Sequence, residues 1–214
     1  MSLTSELAAF REKSDKELFP ETRRILEEAA ADLDKNKAGE HALGVGDKFP
    51  DATLTDHLGQ PWRFEEALET GPLLVVFYRG GWCPYCNLEL KAYQTMLPDI
   101  MESGGQLVAV SPEPPDGSLT TIEKNALEFP VLTDARNELA QALGIVIEMT
   151  PELQDLMAGY DLDLSRKNAD TGWTLPIPAT FVVARDGTIE FAHVDRDYRE
   201  RAEPEDAKQV LLRL

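Results

Sequence analysis

The sequence predicts an α/β domain built on a central sheet, and three observations carry that prediction. Residues 73–78 (Leu-Leu-Val-Val-Phe-Tyr) form an unbroken apolar run, rich in β-branched and aromatic types and too short for a helix. Such a run suits a strand buried on both faces in a mostly parallel sheet. Over residues 87–97 the apolar side chains Leu88, Leu90, Tyr93, Met96 and Leu97 recur at helical spacing. Gln106-Leu107-Val108-Ala109-Val110 is a second buried strand, so strand, helix and strand follow one another as in a right-handed βαβ unit. The junction of the first strand with the helix reads Arg79-Gly80-Gly81-Trp82-Cys83-Pro84-Tyr85-Cys86, and its two cysteines are the only ones among 214 residues.

The remaining elements are read in chain order. Residues 4–38 look helical: Leu7, Phe10, Leu18 and Phe19 form a first apolar set broken by Pro20, and Ile25, Leu26, Ala29, Ala30 and Leu33 form a second stripe. We expect an N-terminal helical extension over residues 1–41, packed on the domain or on a second subunit as a homodimer, or else solvated, and a main domain over 42–214. Residues 49–54 read as a short leading strand, 58–61 as a turn, and 64–68 as a short helix ended by Gly71-Pro72. Residues 111–117 contain Pro112, Pro114 and Pro115 and end the second strand sharply. They lie near the carboxyl ends of the strands, where ligands of open α/β sheets usually sit, so they form either a wall of the site or a plain turn.

A helix is expected over residues 120–128, a strand over 129–132, and a helix over 137–143 closed by Gly144. Another helix begins at Thr150-Pro151, with proline in its first turn. Residues 161–171 are polar and loop-like. A strand over 180–184 turns at Asp186-Gly187 into a partner over 189–194, and an amphipathic helix over 204–214 closes the chain.

Composition narrows the function. The net charge of −18 (21 Lys and Arg against 39 Asp and Glu) argues against nucleic acid, which is bound through Lys and Arg on phosphates, and against anionic membrane surfaces. It fits solubility. No run approaches the ~18 apolar residues of a membrane span, and Met1-Ser2-Leu3-Thr4-Ser5-Glu6 has no basic region preceding an apolar core, as a secretory signal would. The expected location is therefore cytoplasmic, where a C-x-x-C pair is a cycling redox couple more readily than a structural staple.

The chemistry of the junction is direct. A helix N-terminus carries unpaired N–H groups and about half a positive charge. A thiol placed there can fall from about 8.5 into the range of about 3.5–7.5. Arg79 adds a fixed cation that lowers the pKa further and can orient a substrate. Cysteines three apart on one turn can also close into a reversible disulfide. Zinc wants four ligands, and His41, His57 and His193 offer no ligand-spaced pair. Two buried core thiols would be the bland alternative. Their placement beside Gly, Trp, Pro and Tyr on a strand-to-helix turn favours redox function and calls for no metal and no cofactor.

The stretch Phe77-Tyr78-Arg79-Gly80-Gly81-Trp82-Cys83-Pro84-Tyr85-Cys86, with Val45-Gly46-Asp47-Lys48-Phe49-Pro50-Asp51 upstream, resembles the alkyl hydroperoxide reductase/thiol-specific antioxidant (AhpC/TSA) family, in its peroxiredoxin-like branch. The resemblance covers residues from about 44 to about 205. It implies a thioredoxin-like fold, a central mixed sheet flanked by helices. It also implies a peroxide or disulfide substrate and a thiol electron donor such as thioredoxin, glutaredoxin or glutathione. Pro178 resembles the cis-proline that faces the cysteines in such folds.

Two chemistries use the pair differently. In the peroxidase reading, the nine-step spacing from Phe77 to Cys86 matches the family motif, makes Cys86 the peroxide-reactive thiolate and leaves Cys83 to resolve it. Arg79 then stands where the family has proline, Cys83 where it has threonine, and the family's later arginine is displaced around Pro178. In the disulfide-oxidoreductase reading, the glutaredoxin-like Cys-Pro-Tyr-Cys after Trp82 makes Cys83 the nucleophile. A non-catalytic binding module with incidental thiols is the third alternative. The register and the upstream match incline the sequence reading toward Cys86.

Overall fold

The computed structural model describes residues 2–214. The chain opens with α1 (Leu3–Glu17) and α2 (Pro20–Lys35). Ser2 caps α1, its side chain accepting from the Ser5 amide, and Pro20 sits in the first turn of α2, where its missing N–H is harmless. Then follow β1 (Thr53–Asp56), β2 (Pro61–Arg63), α3 (Phe64–Thr70), β3 (Leu73–Phe77), α4 (Pro84–Glu102), β4 (Gln106–Ser111), α5 (Pro115–Asn125) and β5 (Val131–Thr133). The second half holds α6 (Glu138–Ala142), β6 (Val146–Glu148), α7 (Pro151–Gly159), α8 (Leu164–Lys167), β7 (Thr174–Pro176), β8 (Ala179–Val183), β9 (Ile189–Val194) and α9 (Pro204–Leu211).

Among the described residues the main sheet has seven strands in the order β2-β1-β5-β4-β3-β8-β9. β3 is parallel to β4, and β4 to β5, whereas β8 pairs antiparallel with both β3 and β9. The sheet is therefore mixed, with β3 interior, and every residue of β3 is buried. Alternation along it feeds two cores. Leu74, Val76 and Tyr78 pack with Leu90, Tyr93 and Ile100 of α4, and with Leu3 and Leu7 of α1. Leu73, Val75 and Phe77 pack on the opposite face with Phe64, Leu139 and Phe181. Each such large side chain contributes about 1.5–3 kcal/mol when taken fully out of water. That rigidity fixes the point where β3 releases the chain toward the cysteines.

Several expectations are adjusted. The leading strand occupies Thr53–Asp56, later than expected, because Lys48 and Phe49 bond instead to the β8–β9 hairpin, Phe49 N–H donating to Gly187 O at 2.9 Å. α4 runs five residues beyond the predicted end at Leu97, passing through Pro98. α5 begins at Pro115 rather than Thr120, so the last proline of the proline-rich loop starts a helix. The polar stretch 161–171 contains the short α8, capped by the Asp163 carboxylate on the Ser165 amide. β6 and β7 pair into a separate two-stranded sheet that the sequence did not suggest.

Pro178 is a correction: no peptide bond among the described residues is cis. Only Ile177 and Pro178 separate β7 from β8. The Ile177 N–H is held by Ile145 O at 2.6 Å, so the chain passes extended from one strand into the next.

Candidate active site

The Tyr78 N–H still bonds Val110 O at 3.0 Å, and the loop to α4 starts at Arg79. Gly80 has φ +148, and a Cβ on it would lie 2.2 Å from Trp82 Nε1. A Cβ on Gly81 would lie 2.1 Å from Thr121 Oγ1. Only glycine fits this close approach of loop to α5. Three side chains then clamp Gly81: its N–H donates to Glu113 Oε2 at 2.8 Å, and its carbonyl accepts from Asn87 Nδ2 at 2.9 Å and Lys124 Nζ at 3.0 Å. Asn87 also donates to Cys83 O at 3.0 Å and is itself held by Asn125 at 2.8 Å. Burial raises the Glu113 carboxyl above its ordinary value, offset by the Gly81 amide.

Cys83 is the N-cap of α4, Pro84 is in its first turn, and Cys86 follows within that turn. Both sulfurs are free thiols and both are buried, Cys83 at 1% and Cys86 at 0% exposure. They are not equivalent. Cys83 lines a cavity of about 360 Å³ and Cys86 lies behind it, outside the lining. The Cys86 thiol, placed to donate to Cys83, and the cations Arg79 and Arg201 lower the Cys83 pKa to about 6 against the opposing effect of burial. Burial and the neighbouring Cys83 push Cys86 well up. These causes favour the thiolate on Cys83 over Cys86.

Arg79 and Trp82 line the same cavity, as does Pro178 from the β7–β8 connection. The Arg79 guanidinium is stacked 4.9 Å from the Trp82 ring and 4.3 Å from the Tyr198 ring, a cation–π sandwich. It is 8% exposed, and its Nε finds no hydrogen-bond partner.

Three site residues were not anticipated, Tyr198, Arg201 and Glu89, and Glu113 belongs to the 111–117 loop that the sequence offered as a wall of the site without singling it out. Arg201 donates from Nη2 to Cys86 Sγ at 3.5 Å, from Nε to Glu89 Oε2 at 2.7 Å, and from Nη1 to Glu200 O at 2.7 Å and to Tyr198 O. Arg201 and Glu89 are buried at 1% and 0% side-chain exposure. Burial raises the Glu89 carboxyl to about 7, with Arg201 pulling the other way. The sequence has no arginine around Pro178, where the family resemblance would place one, and a guanidinium reaches Cys86 instead from Arg201 in the segment after β9. Glu89 carried a signal, since it lies on the stripe formed by Cys86, Leu90, Tyr93 and Leu97, all buried. Arg201 carried none, sitting in the charged run Asp195-Arg196-Asp197-Tyr198-Arg199-Glu200-Arg201. No three His, Cys, Asp or Glu side chains among the described residues cluster as metal ligands, and no helix there is long and apolar enough to cross a membrane.

Comparison with known proteins adds four likenesses. The model of the AhpC/TSA family matches residues 45–192. A Mycobacterium tuberculosis protein provisionally named a peroxiredoxin is 25% identical over 129 residues, which are 60% of this chain and 84% of that one. The thiol-disulfide oxidoreductase ResA of Geobacillus kaustophilus is 25% identical over 126 residues, 55% of this chain and 71% of that one. The crystal structure of peroxidoxin BcpB from Mycobacterium tuberculosis superposes with a TM-score of 0.62 at 21% identity, covering 79% of this chain and 96% of that one. The fold is thus the thioredoxin-like arrangement of such structures. The family match excludes α1, α2 and Arg201.

Proposed function

The chain belongs to the AhpC/TSA family, and we propose that it is a thiol peroxidase in which Cys83 attacks the peroxide and Cys86 resolves it. The observation that carries this reading is that Cys83, the sulfur of lowered pKa, lines a cavity while only 1% exposed. A peroxide can enter such a space. A protein disulfide needs an exposed sulfur.

The Cys83 thiolate attacks the terminal oxygen of R–O–OH. The S–O bond forms, the O–O bond breaks, and the sulfur is oxidised to a sulfenic acid. The departing RO⁻ takes a proton and leaves as ROH. Arg79, stacked beside Cys83 with Nε unpartnered, is placed to favour the thiolate and the developing alkoxide. The Cys86 thiol then condenses with the sulfenic acid, forming the disulfide and releasing water. Two electrons from a thiol donor restore the dithiol: glutathione is small enough to enter the cavity, whereas a donor of the thioredoxin or glutaredoxin type requires the turn that carries the disulfide to open first. The family register favours Cys86 as the first sulfur, whereas access and charge favour Cys83.

A second reading, thiol–disulfide exchange with Cys83 as nucleophile, is favoured by the Cys-Pro-Tyr-Cys sequence and the likeness to an oxidoreductase of that activity. Steady-state turnover of hydrogen peroxide and an organic hydroperoxide, with thioredoxin and glutathione systems as separate donors, distinguishes the two. The peroxidase reading predicts peroxide-dependent oxidation of at least one donor. Disulfide reduction without peroxide consumption supports the second reading instead. The dithiol chemistry suits a reducing cytoplasm. A homodimer is proposed from the exposed Phe19 between α1 and α2, 72% accessible; sedimentation that shows only a 23.8 kDa species refutes it.

A further inference from the structure

Two helices that the family-matched segment lacks stand over the reactive sulfur. α1 and α2 lie outside residues 45–192, yet both line the cavity that holds Cys83, α1 through Phe10 and Leu18 and α2 through Leu26 and Leu33. They are held differently. α1 is anchored: Leu3 and Leu7 are buried in the core with Leu90 and Tyr93, and Glu203 accepts from the Leu3 and Thr4 amides at 3.2 and 2.7 Å. Phe10 meets the ring of Tyr85 edge-on, centroids 5.0 Å apart, so α1 sits on the turn that carries both thiols. α2 buries only Thr22 and Ala29 and rests against α7. Its ion pair from Asp34 to Arg196 is 3.7 Å long with the carboxylate 74% exposed, and such surface pairs contribute little. Leu18 and Phe19, both extended, join the anchored helix to the looser one.

We infer that α1 and α2 select the electron donor: a low-molecular-weight thiol reaches the Cys83–Cys86 disulfide through the cavity, whereas a protein thiol reaches it only after α2 has swung away from α7. The inference rests on the dithiol cycle proposed above and names what sets its donor. Exchange requires the attacking sulfur to touch the sulfur it attacks. Cys83 is 1% exposed beneath these helices, so a thiol fixed on the surface of a folded protein is kept out. A space of about 360 Å³ is of the size that encloses a small organic ligand, and a tripeptide thiol is one. The donor thiolate attacks Cys83 Sγ, the bond to Cys86 breaks, and Cys86 departs as a thiolate that takes up a proton. A second donor thiolate then attacks the sulfur of the bound donor. Cys83 leaves, the donor disulfide is released, and two electrons have passed to the protein.

The test is the rate at which the disulfide of the full chain, formed beforehand with diamide, is reduced by glutathione and, separately, by thioredoxin. In the wild type the glutathione rate should rise linearly with concentration, and the thioredoxin rate should level off at the rate of opening. Phe10→Ala removes the contact of α1 with Tyr85, and Leu33→Asp sets a charge between α2 and α7. Each should raise the thioredoxin rate by about tenfold or more, because more of the protein is open, while changing the glutathione rate by less than about threefold. Alkylation of reduced Cys83 should follow the same division, a polyethylene-glycol maleimide gaining as thioredoxin does and iodoacetamide as glutathione does. Circular dichroism verifies folding, and if one variant does not fold, the other and the wild-type concentration series decide. A thioredoxin rate that is unchanged, that changes by the same factor as the glutathione rate, or that stays at zero in folded variants overturns the inference. Absence of peroxide turnover removes the peroxidase reading and leaves this result standing, since diamide supplies the disulfide.

Discussion

Arg201 holds its Nη2 3.5 Å from the sulfur of Cys86, across 115 positions of sequence. The same guanidinium is anchored at 2.7 Å by Glu89, one turn along α4 from that cysteine. A buried acid and a buried base thus meet behind the pair of thiols, and the Cys86 sulfur sits against the cation.

Arg201→Met should be strongly destabilising, because it leaves Glu89 buried without its counter-charge. Removing one partner of a buried pair costs about 3–5 kcal/mol, here lessened because Glu89 takes up a proton readily. Urea unfolding of Arg201→Met and of the double variant Arg201→Met/Glu89→Leu checks this. The single variant should lose stability and the double should regain most of it. A single variant as stable as wild type would contradict the buried-pair account.

The same carboxyl makes stability depend on pH. Glu89 has a folded pKa of about 7, raised from 4.5, so the native state binds a proton more tightly than the unfolded chain. Its favourable contribution is complete below about 4.5 and is lost as pH rises through about 7. Glu89→Gln should therefore flatten the fall in stability over that window, measured by urea midpoints at several pH values. An unchanged slope would remove Glu89 from the account.

Alkylation by iodoacetamide should follow the thiolate of Cys83 and rise through a midpoint near pH 6. Arg79→Met removes a cation beside that sulfur and should move the midpoint upward. Cys83→Ser should leave Cys86 slow to react at neutral pH, since burial holds its pKa high. A midpoint that does not move in Arg79→Met denies the arginine its electrostatic role.

Gly81→Ala introduces a methyl group 2.1 Å from Thr121 Oγ1. The loop or α5 must shift, which overpacking of this kind penalises by about 1–3 kcal/mol, and the Glu113 and Asn87 clamps on Gly81 should loosen with it. Lower stability together with slower Cys83 alkylation is expected. Combining Gly81→Ala with Thr121→Ala should restore part of both.

Much of this arrangement was legible in the sequence because it is local. The apolar run of β3, the glycines of the loop and the start of α4 are consecutive, so burial pattern and turn chemistry locate the thiols without tertiary knowledge. The partners of those thiols are not local. Glu113 arrives from the end of β4, and Tyr198 and Arg201 from the segment after β9, where alternating charges look like a solvated run. Burial of Arg201 follows from the path of the segment after β9, which brings it onto Glu89 and Cys86 of α4 and which no spacing rule encodes. The cavity was equally hidden, since α2 reads as an amphipathic helix and its apolar stripe does not say what it faces. The choice between the cysteines turned on the same point, for the motif register weighs sequence position, and access to the cavity is a tertiary property.

The central claim is that Cys83 is the sulfur oxidised first. Single-serine variants exposed to peroxide and then to a sulfenic-acid trap, with the adduct located by mass spectrometry, test it most directly. The account predicts a trapped sulfenic acid on Cys83 in Cys86→Ser, formed rapidly, and little or none on Cys86 in Cys83→Ser. Rapid trapping on Cys86 in Cys83→Ser, with Cys83 unmodified in the other variant, would contradict it and return the attack to the sulfur behind the cavity.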